Sequence, residues 1–221
     1  MSKEIDNPLL NDNRDYQYND EYYNRHEFSV IKNWIPKNSK IIDLGCGNGA
    51  LMSYLKKENI DVEGIEIAKS GVEVCLKNGL KVIRGAIDEK ATYQIYSDYQ
   101  FDYSICNVTI QMVKYPEILI NEMKRISKYQ IISFPNFAYL ENRLDLLFNG
   151  VMPRKMLYKY KWYNTGHIHQ LSLRDFKNFC RENKLQIIKR QDFGCFSFIS
   201  RWFWPNLFSK ESIFLCKKYD L

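Results

Sequence analysis

Hydrophobic and polar positions along the chain alternate between short, nearly continuous apolar runs and longer segments in which apolar residues recur every three or four positions. The short runs predict strands, and the longer segments predict amphipathic helices. The predicted strands cover residues 40–44, 62–67, 81–84, 101–107, 130–134, 185–190 and 212–217. Because helices separate most of these strands, the pattern predicts one α/β domain built on a parallel sheet with helices on both faces.

The chain begins with a polar arm, predicted over residues 1–28, that carries seven acidic and three basic residues. Residues 29–221 are predicted to form a single domain. Within it, residues 136–168 are predicted to form a cover segment over the sheet edge, because they start as an amphipathic helix and continue as an irregular, basic and aromatic stretch. Ser172 followed by Asp175 resembles a capping box, which predicts the start of another helix.

Composition and charge narrow the classes of function. A hydrophobic share of 45% in 221 residues is typical of one packed domain. The six cysteines form no C-x-x-C pair, so we expect reduced thiols and no metal site. No apolar run reaches the length of a transmembrane helix and no secretory signal is visible, so a cytoplasmic protein is expected. The net charge of +6 is spread over single and paired residues. This favours a solvated basic surface, which would be able to receive an anionic substrate, and predicts no nucleic-acid partner.

A glycine-rich loop follows the first predicted strand directly and opens the next helix. It has the sequence DLGCGNG at residues 43–49, and such a loop lets the backbone turn sharply and approach a ligand closely. The loop also satisfies a dinucleotide fingerprint, with Glu66 at the end of the second strand available to a ribose. Asp43 would repel a pyrophosphate, whereas it suits the ammonium group of S-adenosylmethionine, which has no phosphate. The loop therefore favours S-adenosylmethionine and leaves a dinucleotide as the alternative.

Several motifs resemble known families. Residues 43–49 are similar to motif I of the class I S-adenosylmethionine-dependent methyltransferases. Segments that resemble the MetW family are SFPNF at 133–137, GVMP at 150–153, WYNT at 162–165, WPNL at 204–207, and Gln111 with Tyr115 and Pro116. This resemblance implies a single doubly wound, Rossmann-like, mostly parallel seven-stranded sheet of the class I methyltransferase type, with the last strand antiparallel.

The resemblance also implies a cofactor, which is S-adenosylmethionine or its product S-adenosylhomocysteine. The expected cofactor-binding residues lie at the carboxyl ends of the first four strands, and they are Asp43, Gly45, Cys46, Gly47, Gly49, Glu66, Ile67, Ile87, Asp88 and Asn107. The family usually has an acid for the adenine amino group where this chain has Ala86. Asp88 and the backbone of Ile87 are therefore expected to meet the purine instead.

The acceptor side of the site is expected to come from residues after the fifth strand. The substrate-binding candidates are Asn136, Arg143, Tyr163, Asn164 and His169. His169 is also the candidate catalytic residue, since a general base is needed only for an acceptor that must lose a proton. A simple loop hydrogen bond is the competing interpretation of His169.

Two functions remain open at this point. The first is a methyltransferase that acts on a small polar molecule. The second, implied by the MetW resemblance, is a non-catalytic or regulatory partner of a homoserine O-acyltransferase in methionine biosynthesis. A complete donor site favours the first, whereas the lack of a convincing general base favours the second.

Overall fold

The computed structural model describes residues 25–153, 162, 165–194 and 202–219. Its strands are β1 Lys40–Leu44, β2 Asp61–Glu66, β3 Lys81–Arg84, β4 Phe101–Asn107, β5 Ser127–Pro135, β6 Leu185–Phe193 and β7 Glu211–Lys218. Its α-helices are α1 His26–Trp34, α2 Ala50–Lys57, α3 Lys69–Lys77, α4 Pro116–Ile126, α5 Leu140–Leu144, α6 Leu173–Glu182 and α7 Pro205–Phe208. Short 3-10 helices span Lys90–Tyr93 and Ile110–Met112, and a π-helical turn spans Asp145–Asn149.

The seven strands form one sheet in the order β3-β2-β1-β4-β5-β7-β6. Strands β1 to β5 are parallel, whereas β7 lies antiparallel between β5 and β6. The strand order reverses at β1, which has β2 on one side and β4 on the other. In open α/β sheets, ligands bind at such a switch point, beyond the carboxyl ends of the strands. The predicted doubly wound sheet with an antiparallel last strand is confirmed.

The sheet is buried on both faces because alternate residues of its strands enter two separate hydrophobic clusters. Ile42 lies in a cluster with residues of α4 and α6. Its neighbour Ile41 lies in a cluster with residues of α1, α2 and α3. This alternation follows from the two-residue period of a strand. Both clusters exclude water, so a carboxylate placed among them loses solvation.

The segment after β5 contains a shorter helix than the sequence pattern predicts. The Oδ1 atom of Asn136 accepts the N–H of Ala138 at 3.1 Å, and this local turn competes with the first turn of a helix. Helix α5 therefore begins later, at Leu140. The π-helical turn follows it directly and is terminated by Gly150, which has a φ of 61°. The capping box at the start of α6 is confirmed, since Ser172 and Asp175 each accept the backbone N–H of the other.

Helix α1 begins at His26, inside the range predicted for the polar arm. Residues 1–24 lie outside the described residues, so the arm and its boundary with the domain stay predictions. Among the helices that the structure describes, none combines the length and the apolar character that crossing a lipid bilayer requires.

Candidate functional site

The glycine loop connects β1 to α2 with a left-handed backbone at three positions. Gly45, Gly47 and Gly49 have φ angles of 77°, 57° and 75°, a region that favours glycine. At Gly45, an added Cβ atom would lie 2.5 Å from Cγ2 of Thr109, in the segment that follows β4. The N–H groups of Gly45 and of the next residue donate to the carbonyl of Ile65 at 2.8 and 3.1 Å. The loop is therefore held by β2 and packed closely against the segment after β4.

Glu66 is the last residue of β2, and its side chain forms a hydrogen bond with the backbone of the glycine loop. Its side chain is buried, with an exposed fraction of 3%. Its Oε2 accepts the N–H of Gly47 at 2.7 Å, and its Oε1 accepts the N–H of Ala68 at 2.8 Å. A carboxylate has two lone pairs on each oxygen, so it can accept up to four hydrogen bonds. Glu66 thus has a structural role in the loop, and its contact with a ribose stays a prediction.

Asp43 is buried at the carboxyl end of β1, with an exposed fraction of 2%. Burial, and to a lesser extent the charge of Glu66, raises the pKa of Asp43 to about 7. No hydrogen bond to its carboxylate comes from the part of the chain that the structure describes. Two neighbouring buried carboxylates give the site a negative electrostatic potential, and a positively charged ligand would relieve the repulsion between them.

Cys46 contributes its backbone to the loop and its side chain to the core. A hydrogen bond with Cys75, together with burial, raises the pKa of the Cys46 thiol well above its ordinary value. The thiol is therefore neutral and packs as an apolar group. Its backbone is the part that lies in the loop, where a ligand would approach.

Two further predicted cofactor-binding residues, Ile67 and Ile87, lie just after β2 and β3. The carbonyl of Ile67 accepts a hydrogen bond from Nε of Arg84 at 3.1 Å, and the carbonyl of Ile87 accepts one from the Tyr93 hydroxyl at 2.7 Å. Ile87 is also part of the hydrophobic core.

The carboxylate of Asp88 is already engaged by backbone. Its Oδ2 accepts the N–H groups of Lys114 and Tyr115 at 2.9 and 3.2 Å, just before α4. Asp88 therefore anchors the start of α4, and Oδ1 is the oxygen whose acceptor capacity is not used by these two bonds. Its contact with adenine stays a prediction.

The end of β4 holds an unusual backbone conformation that the sequence does not indicate. Val108 has a φ of 52°, which is rare for a β-branched residue and stores strain. Its N–H donates to Oγ of Ser133 at 2.9 Å, and that hydroxyl donates to Oδ1 of Asn107 at 2.6 Å. These hydrogen bonds fix the side chain of Asn107 at the carboxyl end of β4. Val108 and Ser133 therefore become further candidates for the site.

His169 lies against the segment that follows β4, through Gln111. The N–H groups of Ile168 and His169 both donate to the backbone carbonyl of Gln111, at 2.9 and 3.0 Å. Gln111 is buried, with 1% exposed, and its Nε2 donates to the carbonyl of Val108 at 2.9 Å. Oε1 of Gln111 and Nε2 of His169 are both buried, and neither has a hydrogen-bond partner among the described residues. Two unsatisfied polar atoms near the crevice indicate capacity for a polar ligand.

Asn136 and Arg143, two other predicted substrate-binding residues, contact parts of the chain other than the segment after β4. Asn136 is buried, and its Nδ2 donates to the carbonyls of Asn206 and Ser209 at 3.1 and 2.8 Å. It therefore joins the end of β5 to the segment before β7. Arg143 is exposed, donates to the carbonyl of Ala138 at 2.6 Å and lines a cleft of about 380 Å³. Tyr163 and Asn164 lie outside the described residues.

The strand order with an antiparallel β7, together with the acid-flanked glycine loop, defines a protein of the class I methyltransferase fold. An S-adenosylmethionine-dependent methyltransferase from Thermotoga maritima has a TM-score of 0.63 at 20% identity, covering 87% of this chain and 88% of that chain. One from Archaeoglobus fulgidus has a TM-score of 0.63 at 15% identity, covering 90% and 96%. At these identities the likeness establishes the fold alone.

The chain belongs to the family described as methionine biosynthesis protein MetW, which matches residues 25–216. The family inferred from the sequence motifs is thereby confirmed. A curated relative, the bifunctional methionine biosynthesis protein MetXA/MetW of Rhodopirellula baltica, is 34% identical over 141 residues. The match covers 59% of this chain and 22% of that protein, so the chain spans less than a quarter of this relative's length.

Proposed function

We propose that this protein binds S-adenosylmethionine at the acid-flanked glycine loop and transfers the methyl group to a small polar molecule. The observation that carries the proposal is the pair of buried carboxylates, Asp43 and Glu66, at the carboxyl ends of β1 and β2. S-adenosylmethionine has an ammonium and a sulfonium group and no phosphate, so its charge is complementary to this pair.

The negative charge of the site favours binding of S-adenosylmethionine over binding of a dinucleotide. An Asp43 carboxylate about 4 Å from a charged group contributes about 4 kcal/mol at the effective dielectric constant of a protein site, with the sign set by the ligand. A pyrophosphate would meet repulsion of this order, whereas an ammonium group would meet attraction. Glu66 contributes to either ligand, because both contain a ribose. Asp43 therefore supplies the discrimination.

The acceptor is proposed to lie beside the side chains of Gln111 and His169. Methyl transfer depends mainly on in-line placement, because the sulfonium already activates the methyl group. Oε1 of Gln111 and Nε2 of His169 are buried and unpaired within the described residues, so they suit a polar acceptor. In this arrangement His169 takes the proton of a hydroxyl or ammonium acceptor, and Gln111 orients it.

Isothermal titration calorimetry tests the donor site. We expect the wild-type protein to bind S-adenosylmethionine and S-adenosylhomocysteine and to bind NAD far more weakly. Asp43→Asn should weaken binding at least tenfold, whereas Asp98→Asn, a matched change of an exposed acid, should not alter it. Failure to bind either adenosyl ligand, or tighter binding of NAD, would overturn the proposal.

Methyl transfer is tested separately from binding. The protein is incubated with methyl-labelled S-adenosylmethionine and a dialysable small-molecule extract, and labelled product is counted. Loss of the proposed base in His169→Ala should reduce the labelling rate by about a hundredfold or more, while donor affinity is retained. His167→Ala is the matched control. Binding of S-adenosylmethionine without any labelled product would support the proposed donor site and contradict the proposed methyl transfer.

A second candidate function is regulation of a homoserine O-acyltransferase, which the relative from Rhodopirellula baltica favours because it is a bifunctional MetXA/MetW protein. The described residues include two exposed apolar stretches, residues 147–148 and 202–204, whose side chains have exposed fractions of 63–76%. Exposed apolar clusters mark contacts with partners. Adding the protein to a purified homoserine O-acyltransferase should change its rate. The effect should be lost in Phe148→Ser and kept in Ile95→Ser, a control at another exposed apolar residue.

A further inference from the structure

A second group of ionisable side chains lies at the carboxyl edge of the sheet, away from the glycine loop. Glu27 is in the first turn of α1, and Glu211 begins β7, where it pairs with Pro135 at the end of β5. Both acids are buried, with exposed fractions of 1% and 7%. The side chain of His26 lies beside them and is 56% exposed. Two buried carboxylates therefore meet one imidazole at a position that solvent can reach.

The spacing of these groups is wider than a hydrogen bond. Nε2 of His26 lies 3.7 Å from Oε2 of Glu211, and Nδ1 of His26 lies 3.6 Å from Oε2 of Glu27. One potential ligand atom from each of the three residues lies within 4.8 Å of the others. Ligand atoms held at bonds of about 2.0–2.2 Å in a tetrahedral zinc site are separated by roughly 3.3–3.6 Å. Only one ring nitrogen of His26 can bind a given ion, and the 4.8 Å spread is wider than that of a closed zinc site. An ion would therefore have to draw the three side chains together, which the exposed ring of His26 allows.

The charge in this group is incompletely balanced. Oε1 of Glu27 forms an ion pair with the guanidinium of Arg25. Oε1 of Glu27 and Oε1 of Glu211 are both buried and have no hydrogen-bond partner among the described residues. A buried carboxylate is costly unless it is paired or binds a metal ion, and His26 balances the charge of Glu211 only when its ring is protonated. A bound cation would therefore stabilise both acids.

We propose that His26, Glu27 and Glu211 form a binding site for a divalent transition-metal ion of the zinc type. One imidazole and two carboxylates make a mixed nitrogen and oxygen ligand set that suits Zn²⁺ and neighbouring ions, and three protein ligands leave a position open. The ion would neutralise the buried acids and join the first turn of α1 to the start of β7. This site is independent of the proposed donor site.

The test uses the full-length protein, freed of metal with a chelator. Titration calorimetry with Zn²⁺ should show one bound equivalent, and Co²⁺ should give the visible absorption bands of a low-coordinate site. Glu211→Gln and His26→Ala should each weaken Zn²⁺ binding tenfold or more. Circular dichroism checks that the variants fold, and His26→Ala changes an exposed side chain, which favours retention of the fold.

The control addresses the remaining histidines. A double variant, His167→Ala with His169→Ala, should bind Zn²⁺ as the wild type does. The proposal is overturned if the wild type binds neither Zn²⁺ nor Co²⁺ below millimolar concentration, which would indicate that the two acids share a proton instead. It is also overturned if Glu211→Gln or His26→Ala weakens binding less than tenfold, or if the double variant loses it.

Discussion

The affinity for S-adenosylmethionine is expected to depend on pH through Asp43. Burial, followed by the charge of Glu66, raises the pKa of Asp43 to about 7. In the proposed complex the ammonium group of the ligand pairs with the ionised carboxylate, whereas the protonated acid carries no charge. Because the pKa is raised, the binding-competent form is dominant above pH 7 and is lost as the pH falls below it.

The size of the effect follows from the titration. For a pKa of about 7, the ionised fraction of Asp43 in the free protein is about one tenth at pH 6 and about nine tenths at pH 8. The dissociation constant should therefore fall roughly tenfold between these two pH values, which corresponds to about 1.4 kcal/mol. At pH 6, binding should also release close to one proton per ligand, since the carboxyl must ionise in the complex.

Calorimetry at both pH values, in two buffers of different ionisation enthalpy, measures the affinity and the released proton together. Asp43→Asn should abolish the pH dependence. Burial and the charge of Glu27 also raise the pKa of Glu211 to about 7. Glu211→Gln is therefore the matched control, and this variant should retain the pH dependence of S-adenosylmethionine binding. An unchanged wild-type affinity between pH 6 and pH 8, or an equal slope in Asp43→Asn, would refute the role assigned to Asp43.

Three further substitutions test other parts of the structure. Glu66→Ala should weaken S-adenosylmethionine binding by roughly 1.5–3 kcal/mol in calorimetry, and an unchanged affinity would mean that Glu66 does not hold the ribose. Gly45→Ala combines a left-handed backbone with a close contact to Thr109, so urea denaturation should show a loss of roughly 1–3 kcal/mol, and an unaltered midpoint would contradict that packing. Ser172→Ala removes the cap of α6 and should cost about 1 kcal/mol of unfolding free energy while donor affinity stays the same. A stability equal to the wild type would show that the capping box contributes nothing.

The parts of the site that sequence patterns could predict are local ones. The strand period places Asp43 and Glu66 at the ends of β1 and β2, and the spacing of the glycines marks the turn between β1 and α2. Val108 carries no such signal, because its left-handed backbone is accompanied by a hydrogen bond from its N–H to Ser133, which lies 25 residues further along the chain. The contact of Gln111 with the cover segment is likewise a tertiary contact.

Asp88 and Asn136 show a second limit of sequence reasoning. Strand boundaries predict correctly that both residues lie at the carboxyl edge of the sheet, where ligands bind. They do not predict which polar groups the fold itself supplies. Asp88 meets two backbone N–H groups before α4, and Asn136 meets two carbonyls before β7. Such contacts become visible only when separate segments of the chain are assembled.

The short segment after β4 has a consequence for the order of ligand binding. Thr109 packs against Gly45 of the donor loop, while two residues further on the carbonyl of Gln111 holds the backbone of His169. One short segment thus contacts both the glycine loop and the backbone of the cover segment. We therefore expect cooperativity between donor and acceptor. By thermodynamic reciprocity, each would raise the affinity for the other by the same factor, and the protein would favour the loaded ternary complex over either half-filled state.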